Sequence, residues 1–142
     1  MDLQSYFDQF NSKRILVIGD VMIDAYIRGK VSRMSPEAPV PIVSLDQRED
    51  RLGGAGNVAL NLAALGASPI LCSVVGNDQQ ADLLRRLLKE NSISGEGIVE
   101  SNARKTTVKT RVIGNNQQLL RVDSEQTDPI TADEENELIN TA

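Results

Sequence analysis

Apolar runs alternate with polar turns along the chain at the spacing of an α/β protein. Four consecutive apolar residues lie within residues 13–20, and a second apolar run covers residues 69–76. Both runs are typical of strands buried on both faces of a parallel sheet. Apolar residues recur at helical spacing within residues 58–65 and again within 83–88. This order of strand, helix, strand, helix predicts a right-handed βαβα unit in which helices flank a parallel sheet.

The periodicity changes to that of a strand within residues 105–123, where Val108, Thr110 and Val112 alternate with Thr107, Lys109, Arg111 and Ile113. The alternation stops at Gly114, Asn115 and Asn116, and these residue types supply the positive φ that a tight turn needs. We therefore predict a β-hairpin here. Its two exposed basic residues, Lys109 and Arg111, project from one face of the hairpin, and on residue type alone they are edge-strand charges that prevent aggregation.

A proline-rich stretch separates two short predicted strands in the first third of the chain. Three prolines within residues 36–41 cannot lie inside a central strand, whereas residues 26–32 and 40–45 on either side have strand character. We expect these strands to stand outside the main sheet as a small edge sheet or lid.

Helices are predicted at both ends of the chain. Apolar residues at i, i+3, i+4 and i+7 within residues 3–10 predict a short amphipathic helix, which we expect to anchor the N-terminus on the core. Thr131 and Glu134 have the spacing of a capping box that opens another helix. No cap, glycine or proline follows before Ala142, so we expect the chain to stop within that helix.

The composition excludes several kinds of catalytic site. The 142 residues include no histidine, which excludes Ser-His-Asp and Cys-His nucleophiles and every histidine-bearing metal site. The single cysteine, Cys72, excludes disulfides, and its place in an apolar run predicts a buried thiol. Chemistry in this segment must therefore use carboxylates, lysine, arginine and backbone amides, and we predict no metal site.

The charges are unevenly distributed. Fifteen basic and 20 acidic residues give a net charge of −5, and the acidic residues after Val122 have no Lys or Arg among them. We interpret this acidic tail as a solvated helix face. Aromatic residues make up only 3% and no basic stripe occurs, so we expect no nucleic-acid partner. No apolar run approaches the roughly 18 residues of a membrane span, so we expect a cytoplasmic protein with no membrane partner.

The glycines at 53, 54 and 56 introduce a small-sided helix that Gly66 is expected to end. The stretch has neither the dinucleotide-binding spacing nor the P-loop spacing. Free N–H groups at such a helix start suit a polar or anionic ligand. Alternatively, the glycines only permit tight packing.

Two carboxylates follow the first predicted strand at its carboxyl end, where open α/β sheets bind ligands. Asp20 and Asp24 are four residues apart with apolar residues between them, and such carboxylates are suited to hold hydroxyl groups. Alternatively, Asp20 caps a turn and Asp24 is a surface charge.

Four blocks of sequence together resemble one family, the ribokinase-like (PfkB) sugar kinases, over nearly the whole chain. They are Val-Ile-Gly-Asp-Val-Met-Ile-Asp at 17–24, Ser-Arg-Met-Ser-Pro-Glu-Ala-Pro-Val-Pro at 32–41, Gly-Gly-Ala-Gly-Asn-Val-Ala-Leu-Asn-Leu-Ala-Ala-Leu-Gly-Ala at 53–67, and Thr-Val-Lys-Thr-Arg-Val-Ile-Gly-Asn-Asn-Gln-Gln-Leu-Leu-Arg-Val-Asp at 107–123. The second and fourth blocks are similar to the heptose 7-phosphate kinase branch.

The resemblance implies a fold, a reaction and a partner. The fold is a Rossmann-like ribokinase fold with a small β lid, here about 21–45 and 105–123. The reaction uses ATP with Mg²⁺ to phosphorylate the anomeric hydroxyl of D-glycero-β-D-manno-heptose 7-phosphate, on the route to ADP-heptose and the lipopolysaccharide core. The implied partner is a second copy of the chain, joined as a homodimer through the lid strands.

The resemblance also implies residue roles. Asp24, Gly53, Gly54 and Asn57 would hold the sugar hydroxyls, with Asp20 a weaker candidate. Lys109 and Arg111 would face the phosphorylated sugar, which overrides the interpretation from residue type alone. Arg33 and Glu37 would belong to the lid.

One family feature has no counterpart. The catalytic aspartate of the family lies in a Gly-x-Gly-Asp motif, and no glycine precedes Asp123 or Asp128. We expect residues 1–142 to be the N-terminal, sugar-binding portion of a single kinase domain, without a catalytic base, inactive alone, with ATP and Mg²⁺ bound mainly by a missing C-terminal part. Two alternatives stay open: another PfkB-type kinase, for ribose, a nucleoside or a fructose phosphate, or a non-catalytic sugar-binding or dimerising module.

Overall fold

The computed structural model describes residues 2–142, which form two sheets and four helices. In chain order the elements are α1 (Leu3–Phe10), β1 (Arg14–Ile18), β2 (Val21–Met34), β3 (Pro41–Gly54), α2 (Ala55–Ala64), β4 (Ser68–Gly76), α3 (Gln79–Glu90), β5 (Ile98–Ser101), β6 (Val108–Gly114), β7 (Gln117–Ser124) and α4 (Ala132–Thr141). One sheet has the order β1-β4-β5 and the other the order β3-β2-β6-β7. We call the second the lid sheet.

The three-stranded sheet is parallel and has β4 at its centre. Leu71 and Cys72 on β4 are fully buried, and Val75 is 2% exposed. Burial raises the pKa of the Cys72 thiol above its ordinary value, so the predicted inert, buried cysteine is confirmed. Helix α2 packs against β4, and α4 contacts both β4 and β5. This is the α/β arrangement that the apolar runs predict.

One hydrophobic core joins the two sheets. Val21 and Ile23 of β2 and Leu52 of β3 are buried in the same cluster as Leu71 of β4 and Leu84 of α3. Burying each such side chain stabilises the fold by about 1.5–3 kcal/mol. Burial decreases along β2, from buried residues at its start to exposed residues at its end. The lid sheet is therefore packed into the core at one end only.

The lid strands are longer than the sequence pattern predicts. β2 and β3 each contain 14 residues and pair antiparallel from Val21 opposite Gly54 to Met34 opposite Pro41. The predicted strands 26–32 and 40–45 are only parts of them. Residues 46–51 are almost all charged or polar, so they carry no apolar alternation although they lie within β3. The lid sheet consequently extends to Gly54 and also includes the hairpin β6–β7.

Three sequence-based expectations fail in the first sheet and at the N-terminus. β1 is an edge strand rather than one buried on both faces, because Leu16 is 45% and Ile18 is 60% exposed. Helix α1 forms, but none of its residues is buried and Leu3 is 74% exposed, so it does not anchor the N-terminus in the core. The four-residue strand β5 was not predicted, since so short a segment carries little pattern.

The predicted chain reversals and caps are confirmed. Gly66 ends α2 with a φ of +94°, and Asn115 and Asn116 form the hairpin turn with φ values of +50° and +66°. Thr131 and Glu134 make both hydrogen bonds of a capping box at the start of α4. No helix within residues 2–142 has the length and apolarity needed to cross a bilayer.

Candidate functional site

Strand register gathers charged side chains on one face of the lid sheet. Asp24 on β2 lies opposite Arg51 on β3 and opposite Lys109 on β6. Because side chains alternate along a strand, Asp24 and Tyr26 share this face, whereas Ile23 points into the core. We call this surface the polar face of the lid sheet.

Asp24 and Arg111 form an ion pair at the centre of the polar face. Arg111 Nη1 donates to Asp24 Oδ1 at 2.5 Å, and both side chains are mostly buried, at 23% and 21% exposed. The hydrogen bond to Asp24 raises the pKa of the Arg111 guanidinium above its ordinary value. The pair holds the carboxylate in one orientation and leaves its second oxygen able to accept a ligand hydroxyl.

Gly53 lies directly against this carboxylate. A Cβ at position 53 would come within 2.6 Å of Asp24 Oδ2 and 2.9 Å of the Met22 side chain, so any larger residue would displace both. Gly54 has a φ of +57°, and the next N–H, that of Ala55, donates to the carbonyl oxygen of Asp20 at 2.8 Å. Both glycines are therefore required by the backbone and by close approach.

Helix α2 begins at this point. Gly54 is its N-cap and no side-chain oxygen caps its first turn. Since the N–H of Ala55 already donates to Asp20, the first-turn N–H groups that a polar ligand could use are those of Gly56 and Asn57. Asn57 lies in that turn and is exposed. The structure thus brings Asp24, Gly53 and Gly54 together, with Asn57 one helical turn away.

Lys109 forms ion pairs with two acidic residues, which the sequence analysis assigned to a solvated helix face. Its Nζ lies 2.8 Å from Glu125 Oε2 and 3.4 Å from Asp123 Oδ2. The hydrogen bond to Glu125 raises the pKa of Lys109, and hydrogen bonds from Arg121 lower the pKa of Asp123. The prediction that these acids belong to a solvated helix face is wrong, because Asp123 lies on β7.

The side chain of Asp20 lies outside the polar face, although its backbone carbonyl accepts the N–H of Ala55 next to Gly54. Asp20 lies in the turn between β1 and β2, with its side chain exposed. It lines a cleft of about 580 Å³ at the carboxyl ends of β1 and β4, together with Arg104, Lys105 and Glu125. Because this cleft does not include Asp24, Gly53 or Arg111, we locate the candidate site on the polar face and treat the cleft as its neighbour.

The two predicted lid residues lie far from this site. Arg33 is near the end of β2 and Glu37 is in the following loop, and both are exposed. Nine residues of extended strand separate Arg33 from Asp24, a distance of about 30 Å. Within a single chain they cannot share a ligand with Asp24.

Sequence reasoning missed four residues of the polar face, namely Tyr26, Arg28, Glu49 and Arg51. Tyr26 lies opposite Glu49 and Arg111 in the strand register, and Arg51 makes a two-pronged ion pair with Glu49 at 2.6 and 2.9 Å. The sequence signal they share is a spacing of two residues, which places side chains on the same face of a strand. Tyr26 lies two residues from Asp24 and from Arg28, and Glu49 lies two residues from Arg51. That spacing became informative only once β2 and β3 were known to run through these positions.

No group of three or more metal-binding side chains occurs within residues 2–142. The same residues contain no P-loop spacing.

Comparison with known proteins decides the family. The model of the pfkB family carbohydrate kinases matches residues 12–142. The chain belongs to this family. The resemblance inferred from the four sequence blocks is thus confirmed, and with it the ribokinase-like α/β fold.

Two relatives illustrate how the PfkB-family chain compares with longer proteins. It is 46% identical over 139 residues to the bifunctional protein HldE of Citrifermentans bemidjiense, covering 98% of this chain and 28% of that protein. It is 53% identical over 113 residues to the D-beta-D-heptose 7-phosphate kinase of Bordetella bronchiseptica, covering 80% of this chain and 36% of the relative. The chain therefore spans about a third or less of these relatives.

Solved structures of the family share the fold. The nucleoside kinase of Methanocaldococcus jannaschii superimposes with a TM-score of 0.58 at 21% identity, covering 79% of this chain and 36% of that structure. The fructokinase of Xylella fastidiosa with bound ATP gives a TM-score of 0.54 at 21% identity, covering 79% and 30%. At this level of identity the likeness concerns the fold alone.

Proposed function

We propose that this chain is the sugar-binding portion of an ATP-dependent sugar kinase whose acceptor is D-glycero-β-D-manno-heptose 7-phosphate. The reaction transfers the γ-phosphoryl group of ATP to the anomeric hydroxyl and yields the 1,7-bisphosphate. This product leads to ADP-heptose and the lipopolysaccharide core, in the cytoplasm. The observation that carries the proposal is the Asp24 carboxylate, held by Arg111 and packed against Gly53.

The chemistry of the polar face supports a sugar as ligand. A carboxylate whose orientation is held by a guanidinium accepts hydrogen bonds from hydroxyl groups, and the start of α2, which has no side-chain cap, follows directly after Gly53 and Gly54. Phosphoryl transfer depends mainly on positioning and electrostatics, so it needs no histidine. The heptose 7-phosphate kinase named among the relatives favours a phosphorylated heptose over other sugars.

We assign nucleotide binding to a part of the kinase outside residues 1–142. ATP supplies the transferred phosphoryl group, and we propose that ATP and Mg²⁺ are bound mainly by the part of the relatives that this chain does not span. Residues 2–142 bind and orient the acceptor sugar and contain no catalytic base. The 142-residue chain should therefore bind the sugar without turning it over.

Measurement of sugar binding with the carboxylate removed tests this proposal. In isothermal titration calorimetry, Asp24→Asn should weaken binding of heptose 7-phosphate about 10- to 100-fold, the usual cost of losing a charged hydrogen bond. Asp46→Asn is the matched control, since Asp46 is an exposed residue of β3 that makes no ion pair within residues 2–142.

Other outcomes would redirect or contradict the proposal. Tighter binding of ribose, adenosine or fructose 6-phosphate would identify a different kinase of the same family. No binding of any sugar, or ATP-dependent turnover by the 142-residue chain, would contradict the assignment of roles.

We also propose a homodimer formed through the lid strands. The face of the lid sheet opposite the polar face exposes Leu45, Leu120 and Val122, at 62%, 49% and 54%. Strand register aligns these side chains with Ile27, so they form one apolar surface of a kind that marks protein interfaces. Sedimentation equilibrium that finds only monomers at high protein concentration would contradict this.

A further inference from the structure

Three arginines converge on one aromatic ring within the polar face. The guanidinium carbons of Arg28 and Arg51 lie 5.3 Å from the centroid of the Tyr26 ring, and that of Arg111 lies 5.4 Å from it. No two of these carbons can therefore be more than about 11 Å apart. Each position is within cation–π range, but three cations around one ring repel one another unless anions separate them.

Carboxylates neutralise only part of this charge. Asp24 pairs with Arg111 and Glu49 pairs with Arg51. Arg28 makes no ion pair or side-chain hydrogen bond within residues 2–142. The cluster thus holds three positive charges against two negative ones, with its unpaired guanidinium beside the Tyr26 ring.

This excess suits a phosphate monoester. Such a group carries a charge of about −1.5 to −2 at neutral pH and has three acceptor oxygens. Arginine binds it with two parallel N–H donors, a geometry that lysine does not offer. The exposed pair of Arg51 with Glu49 can open to engage the ligand, because a surface ion pair contributes little stability.

Lys109 is less suited to the same task. Glu125 and Asp123 already hold its ammonium group at 2.8 and 3.4 Å. An incoming phosphate would have to compete with two paired carboxylates there, whereas Arg28 has no ion-pair partner within residues 2–142 and only the weaker electrostatic influence of Glu49 nearby.

The position of the cluster matches the length of a phosphorylated sugar. Tyr26 is two residues along β2 from Asp24, which is about 7 Å. A sugar whose ring hydroxyls bind at Asp24 and Gly53 would place a phosphate on its side chain at this distance. The hydroxyl site and the arginine cluster are therefore consecutive parts of one surface.

We propose that Tyr26, Arg28, Arg51 and Arg111 form a subsite for the phosphate group of the acceptor sugar and so select phosphorylated over free sugars. The inference rests on the proposed function and specifies which residues select the substrate. The family resemblance implied that Lys109 and Arg111 face the phosphorylated sugar. In this proposal Arg28 and Arg51 replace Lys109 as phosphate contacts, and Arg111 remains one.

Calorimetric titration of the 142-residue chain with heptose 7-phosphate and with the unphosphorylated heptose tests this subsite. The double variant Arg28→Gln, Arg51→Gln should lose about 10- to 100-fold in affinity for the phosphorylated sugar and less than about 2-fold for the free sugar. Arg28→Lys with Arg51→Lys should recover part of the loss, because lysine keeps the charge but not the two-pronged contact.

Arg48→Gln provides the matched control. Arg48 lies on the same strand as Arg51 but on the opposite face of the lid sheet, where it pairs with Asp50 at 3.6 Å. Its substitution should change neither affinity.

A pH series supplies a readout that a purely structural role would not affect. Affinity of the wild-type chain for the phosphorylated sugar should fall as the pH drops through about 6, where the phosphate dianion takes up one proton and becomes a monoanion. The double variant should show a much weaker dependence.

Three results would overturn the inference. An equal loss of affinity for both sugars in the double variant would show that the arginines support the fold. Unchanged affinities would show that the phosphate binds elsewhere. Binding of neither sugar by the wild-type chain would contradict the proposed function itself, and this subsite with it.

Discussion

The two sheets of this protein differ in how their faces are used. β4, at the centre of the parallel sheet, contains fully buried residues such as Leu71 and Cys72. β7, at the edge of the lid sheet, has no buried residue, and β2 is buried only at its start. The parallel sheet is therefore a scaffold whose side chains pack in the core. The lid sheet has faces free for binding, with charges on one and apolar residues on the other.

This difference predicts opposite sensitivities to substitution. Leu71→Ala in the parallel sheet removes a fully buried side chain and should lower the free energy of unfolding by about 2–5 kcal/mol. Val122→Ala in the lid sheet removes a side chain that is 54% exposed in the single chain, so at protein concentrations too low for the proposed dimer it should change the free energy of unfolding by no more than about 0.5 kcal/mol. Urea denaturation measures both. Equal losses would show that packing of the lid sheet stabilises the protein as much as packing of the scaffold does.

A second prediction concerns Gly53, a position of the lid sheet that is as tightly packed as the scaffold. Gly53→Ala would place a Cβ 2.6 Å from Asp24 Oδ2, so we expect a stability loss of about 1–3 kcal/mol. Sugar affinity should fall as well, because the carboxylate must move. Gly95→Ala is the matched control, since its nearest neighbour would be 3.7 Å away. Unchanged sugar affinity in Gly53→Ala would argue against a role for Asp24.

A third prediction concerns the connection between the two regions. Asp78 caps α3 through the N–H groups of Gln80 and Ala81, and its second oxygen accepts the N–H of Thr106, just before β6. Asp78→Asn keeps an oxygen for the cap but turns an amide NH₂ toward the Thr106 N–H, and the loss of that acceptor should lower the free energy of unfolding by about 1 kcal/mol. The exposed Asp82 of the same helix is the control, and Asp82→Asn should have little effect.

The same carboxylate predicts a pH dependence. Burial alone would raise the pKa of Asp78, but hydrogen bonds from Thr106, Ala81 and Gln80 outweigh burial and hold the pKa below its ordinary value. Because the folded pKa is the lower one, the contribution of Asp78 is fully present above pH about 4 and is lost as the pH falls through the folded pKa. The stability difference between wild type and Asp78→Asn should shrink in acid. A difference independent of pH would contradict this.

The contrast between the sheets also explains what the sequence could predict. The apolar run that became β4 was recognisable because burial on both faces demands apolar residues throughout. Residues 46–51 of β3 have no such requirement, so their polar sequence concealed a strand and with it the true extent of the lid sheet. Helix α1 was found from its spacing, but spacing does not show which surface covers its apolar side.

The residues of the candidate site were also only partly predictable from the sequence. Asp24, Gly53 and Arg111 were identified through family resemblance, and the structure brings them together. The pairing of Lys109 with Asp123 and Glu125 depends on the register of the hairpin, and the approach of Arg51 to Tyr26 depends on the register of β2 with β3. The pattern along one strand does not report which residues of the neighbouring strand lie opposite.

A crystal structure of the chain with heptose 7-phosphate would test the central claim most directly. We expect the sugar hydroxyls within hydrogen-bond distance of Asp24 and the backbone at Gly53, and the phosphate against Arg28 and Arg51 beside the Tyr26 ring. A sugar found in the cleft lined by Asp20 and Arg104, with the polar face of the lid sheet empty, would contradict the account.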